Sequence, residues 1–256
     1  MEEREKVREI YLLIHGVESR ALGMEALRGA MYDDDYFPFG SCRVKLHKYG
    51  RFPVCLAVFK SFQDAYSDLL FYHILTLAGK YPNLQKINFI AHSWGTYLLE
   101  RAMEKISEEA GRQQAEGSRQ RAEGKEEGKR RKEEGRREGS RQRAEVKEEG
   151  AEFEVLKKIS EGLTVLLGCV LPRKKEQFLA QYVDVYPRKT INVVGENDRV
   201  VKTAGLFKCF GYGNSGAYGF DELYSTKHTE NIYTGWNHTD YAKDENIRSI
   251  IEWLKK

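Results

Sequence analysis

Long apolar runs are missing from this 256-residue chain. The longest, Gly162 to Leu171, covers about ten residues, half of what a bilayer-crossing helix needs, so no transmembrane segment is expected. The start, Met1 to Glu9, is mostly charged and leads straight into the short apolar segment Ile10 to Ile14. A secretory signal has a basic start and a longer apolar middle, so the expected location is cytoplasmic. Four cysteines, Cys42, Cys55, Cys169 and Cys209, form no C-x-x-C pair and have no histidine at ligand spacing, which argues against a zinc knuckle or a redox dithiol. A large charge of one sign is missing too. The formal net charge is +3 with no strongly basic patch in view, so nucleic acid is not an expected partner.

Aromatics are absent from residues 107–152, where 13 Lys/Arg, 13 Asp/Glu and 7 Gly leave Val146 as the one apolar side chain larger than alanine. Such a stretch cannot fill a core. It carries an internal repeat, SRQRAEGKEEG at Ser118 to Gly128 and SRQRAEVKEEG at Ser140 to Gly150. Lys, Glu and Arg at helical offsets favour a helix, but frequent glycines cost about 1 kcal/mol each and nothing apolar offsets them. We therefore expect a solvated, flexible insert. It reads either as a tolerated expansion of a surface loop or as an arm for a protein partner. Without it, residues 1–106 and 153–256 are about 47% apolar, the globular norm, and form one expected domain.

Short apolar runs alternate there with segments of helical period, which predicts an α/β fold: a doubly wound, mostly parallel six-stranded sheet with helices on both faces. The expected strands are Glu9 to Ile14, Arg43 to Lys48, Lys86 to Ala91, Leu163 to Val170, Thr190 to Val194 and Glu230 to Thr234. Phe62, Tyr66, Leu69, Leu70, His73 and Leu77 predict one amphipathic helix, and Ile247, Ile250, Ile251 and Leu254 another over Asp244 to Lys256. A short helix over Lys174 to Tyr182 is also expected.

Chemistry enters at Ile87 to Leu99, INFIAHSWGTYLL, where an apolar strand runs into a tight turn with Ser93 at its apex and then into a helix. Small residues two before and two after, Ala91 and Gly95, would let a strained turn form; alternatively Ser93 merely caps the helix. The pattern resembles the nucleophile elbow of the α/β-hydrolase superfamily, with Ala91 in place of the usual first glycine. Three more segments follow in that family's order. The strand end YLLIHGV from Tyr11 resembles the turn that supplies an oxyanion-hole amide, which implies the backbone N–H groups of Val17 and Trp94 as donors, Gly16 for close approach and a structural His15. The loop VVGENDRVV from Val193 resembles the one that presents the acid, making Asp198 the candidate and Glu196 the substitute. YTGWNHTD from Tyr233 puts His238 after the last strand, where the family keeps its base; the competitor His228 precedes that strand.

The resemblance implies a serine hydrolase of a carboxylic ester or thioester in a minimal form without a cap domain. It needs no metal and no organic cofactor, and its partner is a small acyl substrate. A noncatalytic scaffold that binds a partner through the insert is the other expectation. Two loops at the strands' carboxyl ends, Asp33 to Gly40 and Phe210 to Phe220, are expected to shape the pocket.

Overall fold

A computed structural model describes residues 2–17, 21–35, 37, 40–50, 53–112, 158–159, 161–172, 189–221 and 229–255. Six strands form one all-parallel sheet in the order β2-β1-β3-β4-β5-β6: β1 Glu9–Ile14, β2 Cys42–His47, β3 Lys86–His92, β4 Leu163–Leu167, β5 Lys189–Gly195 and β6 Thr229–Thr234. The interior strands are largely apolar because both faces are covered, as parallel sheets require, with Asn88, Thr164 and Asn192 as buried polar exceptions. Edge strand β6 instead is half-buried, with Glu230 and Tyr233 exposed.

Helices cover both faces. On one lie α3, Lys60–Lys80, and a helix over residues 94–112, here α4; Leu70, Ile74 and Leu77 of α3 and Leu98, Ala102 and Ile106 of α4 meet Ile10, Leu12, Ile87 and Phe89. On the other lie α2, Leu22–Tyr32, and α7, Asp244–Leu254, whose Met24, Leu27, Ile247 and Ile250 meet Tyr11, Leu13, Ile90 and Val165. Each such buried side chain contributes roughly 1.5–3 kcal/mol. Shorter pieces complete the order: α1 Glu2–Glu5, α5 Arg199–Ala204 and α6 Ser215–Tyr218.

Three departures from the expected elements have physical causes. Strand β4 stops at Leu167 rather than Val170, because Gly168 turns left-handed at φ 54°. The buried stripe of α3 is Gln63, Ser67, Leu70, Ile74 and Leu77, whereas Leu69 is exposed. The polar members of that stripe are satisfied by hydrogen bonds, Gln63 Nε2 to Ala57 O at 2.8 Å and Ser67 Oγ to Asp64 O at 2.9 Å. Finally, α4 continues through residue 112 with Ala110 buried, so the core reaches past the expected domain edge at 106. Most of the insert and the helix expected over Lys174 to Tyr182 lie outside the described residues. No described helix is long and apolar enough to cross a membrane.

Strand order puts the crevice between β1 and β3, since the chain leaves β1 toward β2 on one side and β3 leads to β4 on the other. Open α/β sheets bind ligands beyond the carboxyl ends of the strands at such a switch point. The ends of β1 and β3 here are Ile14-His15-Gly16 and His92-Ser93.

Candidate active site

Ser93 occupies the turn between β3 and α4 with φ 53°; among the described residues only Ala21 is another non-glycine residue with positive φ. That conformation costs about 1 kcal/mol or more and must be held by its surroundings. Ser93 N–H donates to Leu167 O at 2.8 Å, and its carbonyl accepts from Thr96 N–H at 2.9 Å and Thr96 Oγ1 at 2.6 Å. Gly95 makes the turn sterically feasible, because a Cβ there would stand 2.6 Å from His15 O and 2.7 Å from Ile14 O. Ala91 is buried in β3.

The hydroxyl faces an imidazole. His238 Nε2 lies 2.9 Å from Ser93 Oγ, and His238 Nδ1 lies 2.8 Å from Asp198 Oδ2. A carboxylate only accepts, so Nδ1 carries the hydrogen and Nε2 offers its lone pair to the serine hydroxyl. Asp198 caps α5, its Oδ1 accepting from Val201 N–H at 2.9 Å, and it is 1% exposed. Both carboxylate oxygens thus have donors, as a buried charge requires.

The loops that carry Asp198 and His238 are stitched together by Glu196 N–H to Thr234 O at 3.0 Å and Asn197 Nδ2 to Gly235 O at 2.9 Å. Glu196 itself is exposed, and among the described residues no hydrogen bond joins its carboxylate to His238. His228 lies outside the described residues.

Gly16 brings the β1 turn against the serine. A Cβ built there would fall 2.8 Å from Ser93 Cβ and 3.3 Å from Ser93 Oγ. Val17 follows directly and packs on the core, while Trp94 follows Ser93 as the first residue of α4. Trp94 is thus the chain neighbour of Ser93, and Val17 the chain neighbour of the glycine that meets it. His15 hydrogen-bonds Gly16 O through Nδ1 at 2.7 Å, and burial lowers its pKa below the ordinary histidine value.

Sequence reasoning missed four contributors. Gly168 sits against the acid–base pair; a Cβ there would be 3.2 Å from both Asp198 Oδ2 and His238 Nδ1. Its signal was a glycine inside an apolar run that was read as strand through Val170. His92 is 4% exposed and its Nε2–H donates to His238 O at 2.9 Å, fixing the main chain of the base. Burial, followed by the neighbouring His238, pushes the pKa of His92 well below the usual range and keeps it neutral. Tyr49 stacks on His15 with ring centroids 4.0 Å apart, and its hydroxyl donates to His15 O. Tyr212, from the glycine-rich loop, accepts from Trp94 Nε1 at 2.9 Å and from Gln63 Nε2 at 3.1 Å while donating to Ala57 O. Tyr49 lies in no motif that could have announced it, and Tyr212 lies in the loop expected to shape the pocket without any signal of its own bonds to Trp94 and Gln63.

No family model, no curated protein and no solved structure matches this chain.

Proposed function

We propose that the chain is a serine hydrolase of the α/β-hydrolase type that cleaves a carboxylic ester or thioester through an acyl-enzyme on Ser93. The observation that carries this is the continuous hydrogen-bond chain Ser93 Oγ, His238 Nε2, His238 Nδ1, Asp198 Oδ2, with links of 2.9 and 2.8 Å. A serine held in a strained turn with its hydroxyl on an oriented imidazole is an activated nucleophile.

In the proposed reaction His238 Nε2 takes the hydroxyl proton as Oγ attacks the carbonyl carbon. Asp198 holds the tautomer and stabilises the imidazolium, and the N–H groups of Val17 and Trp94 bind the oxyanion. The imidazolium returns the proton to the leaving oxygen or sulfur. Water then attacks the acyl carbon, again with His238 as base, releasing the acid and free Ser93. No step calls for a metal or an organic cofactor. A cytoplasmic location remains part of the proposal, supported by cysteines that are all unpaired, including the exposed Cys55 and Cys209.

Incubation with p-nitrophenyl esters and acyl thioesters tests the proposal. Turnover by the wild type with an acyl adduct on Ser93 in the intact mass, both lost in Ser93→Ala, is expected. A folded wild type that turns over none of them and forms no adduct would overturn it.

A further inference from the structure

The chain between acid and base makes an excursion that the proposed reaction does not use. It leaves the site at Asp198, runs through α5 and a 3-10 turn over Gly205–Phe210, and returns at Tyr212. Its far end is pinned beside β4, with Gly213 N–H on Val170 O at 2.7 Å and Ser215 N–H on Leu171 O at 3.1 Å. Both ends are therefore fixed at the carboxyl edge of the sheet, where Ser93 lies, and Tyr212 reaches Trp94 beside it.

Between these anchors the surface is apolar, and no element among the described residues covers it. No residue of Gly205–Phe210 is buried; Leu206 is 81% exposed, and Phe207 and Phe210 are exposed with ring centroids 6.5 Å apart. Monomeric proteins seldom leave neighbouring large apolar groups in water unless something docks there. The segment itself carries charge of one sign. From Arg199 to Phe220 the chain carries Arg199, Lys202 and Lys208 and not one Asp or Glu, in a protein with 39 acidic residues.

Leucine and phenylalanine tips interleaved with lysine and arginine match the chemistry of an anionic lipid interface, where apolar tips enter the acyl boundary and cations meet the headgroups. Two other occupants fit worse. A second copy docked face to face would bring like charges together. Single-stranded nucleic acid needs flat stacking platforms, whereas the most exposed side chain here is aliphatic.

We propose that residues 199–210 form a docking surface for bilayers containing anionic phospholipid, and that Ser93 draws a lipid-borne ester or thioester from that surface. The second half rests on the hydrolase reading; the first does not.

The test is co-sedimentation of the full chain with phosphatidylcholine vesicles, with and without phosphatidylglycerol, at physiological salt. The wild type should partition onto the anionic vesicles at least about tenfold better than onto the neutral ones. Leu206→Ser/Phe207→Ser/Phe210→Ser should lower that partition about tenfold or more, and Lys202→Gln/Lys208→Gln about fivefold per charge. Leu206→Asp alone is a milder variant should the triple change misfold.

Ser93→Ala should bind like the wild type, so that docking persists even if the hydrolase reading fails. Leu206→Ser/Phe207→Ser, which leaves the pocket loop from Phe210 onward intact, should keep turnover of a dissolved short ester and lose turnover of the vesicle-borne one. A wild type that ignores anionic vesicles, or a folded triple variant that binds them undiminished, would overturn the proposal. Sedimentation as a dimer that the triple variant abolishes, with vesicle partition unchanged, would assign the face to a second copy and overturn it equally.

Discussion

Gly16→Ala is the most demanding perturbation of the site that leaves every proposed reacting group in place. The added Cβ would stand 2.8 Å from Ser93 Cβ and 3.2 Å from His92 Nδ1. Carbon atoms rest at about 3.5–4.0 Å, so something must move by roughly 1 Å. Ser93 cannot easily yield, being tied to Leu167 and Thr96 and backed by Gly95 against the Ile14 and His15 carbonyls. The β1 turn must therefore withdraw, taking the Val17 amide away from the developing oxyanion.

A misplacement of about 1 Å costs on the order of 100-fold in rate, equivalent to about 2.7 kcal/mol of transition-state stabilisation. The loss should appear in kcat for a small p-nitrophenyl ester with KM little changed, alongside a loss of stability of about 1–3 kcal/mol from overpacking. Gly29, in α2 with open space where its Cβ would be, is the control; alanine there should leave turnover intact and stabilise by up to about 1 kcal/mol. A folded Gly16→Ala protein whose kcat stays within about threefold of wild type would refute the proposed role of the His15–Gly16 turn.

Asp198→Asn should reduce kcat by about ten-thousandfold by spoiling the His238 tautomer, whereas Glu196→Gln should have little effect; the reverse ranking in steady-state kinetics would reassign the acid. Stability should depend on the buried histidines. Burial lowers the pKa of His92, and burial with His73 alongside lowers that of His47 to about 3. Below about pH 6.5 the unfolded chain binds protons at these rings that the folded chain refuses, so stability is complete above that pH and falls by about 1.4 kcal/mol per unit per ring as pH drops. Urea denaturation should show a loss of about 1 kcal/mol per ring between pH 6.5 and 5.5, where the unfolded rings start half protonated, and one ring's worth less in His47→Gln; an identical loss in that variant would contradict the assignment. Deleting Gly111 to Gly150 behind a Gly/Ser linker should leave ester turnover within a few fold, because residue 112 lies about 27 Å along α4 from the elbow; loss of turnover in a folded deletion would tie the insert to the site.

The sheet was legible because the interior strands are buried on both faces and so read as short, largely apolar runs even with Asn88, Thr164 and Asn192 inside them. Its ends were less so, for Gly168 looks like part of a strand until its left-handed turn is seen. On α3 the expected stripe holds at Phe62, Tyr66, Leu70 and Leu77, which meet the core, and fails at the exposed Leu69, while Gln63 and Ser67 are buried through hydrogen bonds that no hydrophobic pattern reveals. Ser93, Asp198 and His238 stood out because each follows a strand within a recognisable local pattern. Tyr49, Tyr212 and His92 did not, as their roles depend on partners distant in sequence: 34 residues separate Tyr49 from His15, 118 separate Tyr212 from Trp94 and 146 separate His92 from His238.

The central claim is that Ser93 is an activated nucleophile, and labelling by a fluorophosphonate probe tests it without knowledge of the substrate. Intact mass and peptide mapping should find one probe per chain on Ser93 in the wild type and none in Ser93→Ala or His238→Ala. A folded wild type that stays unlabelled, or labelling that survives in either variant, would contradict the account.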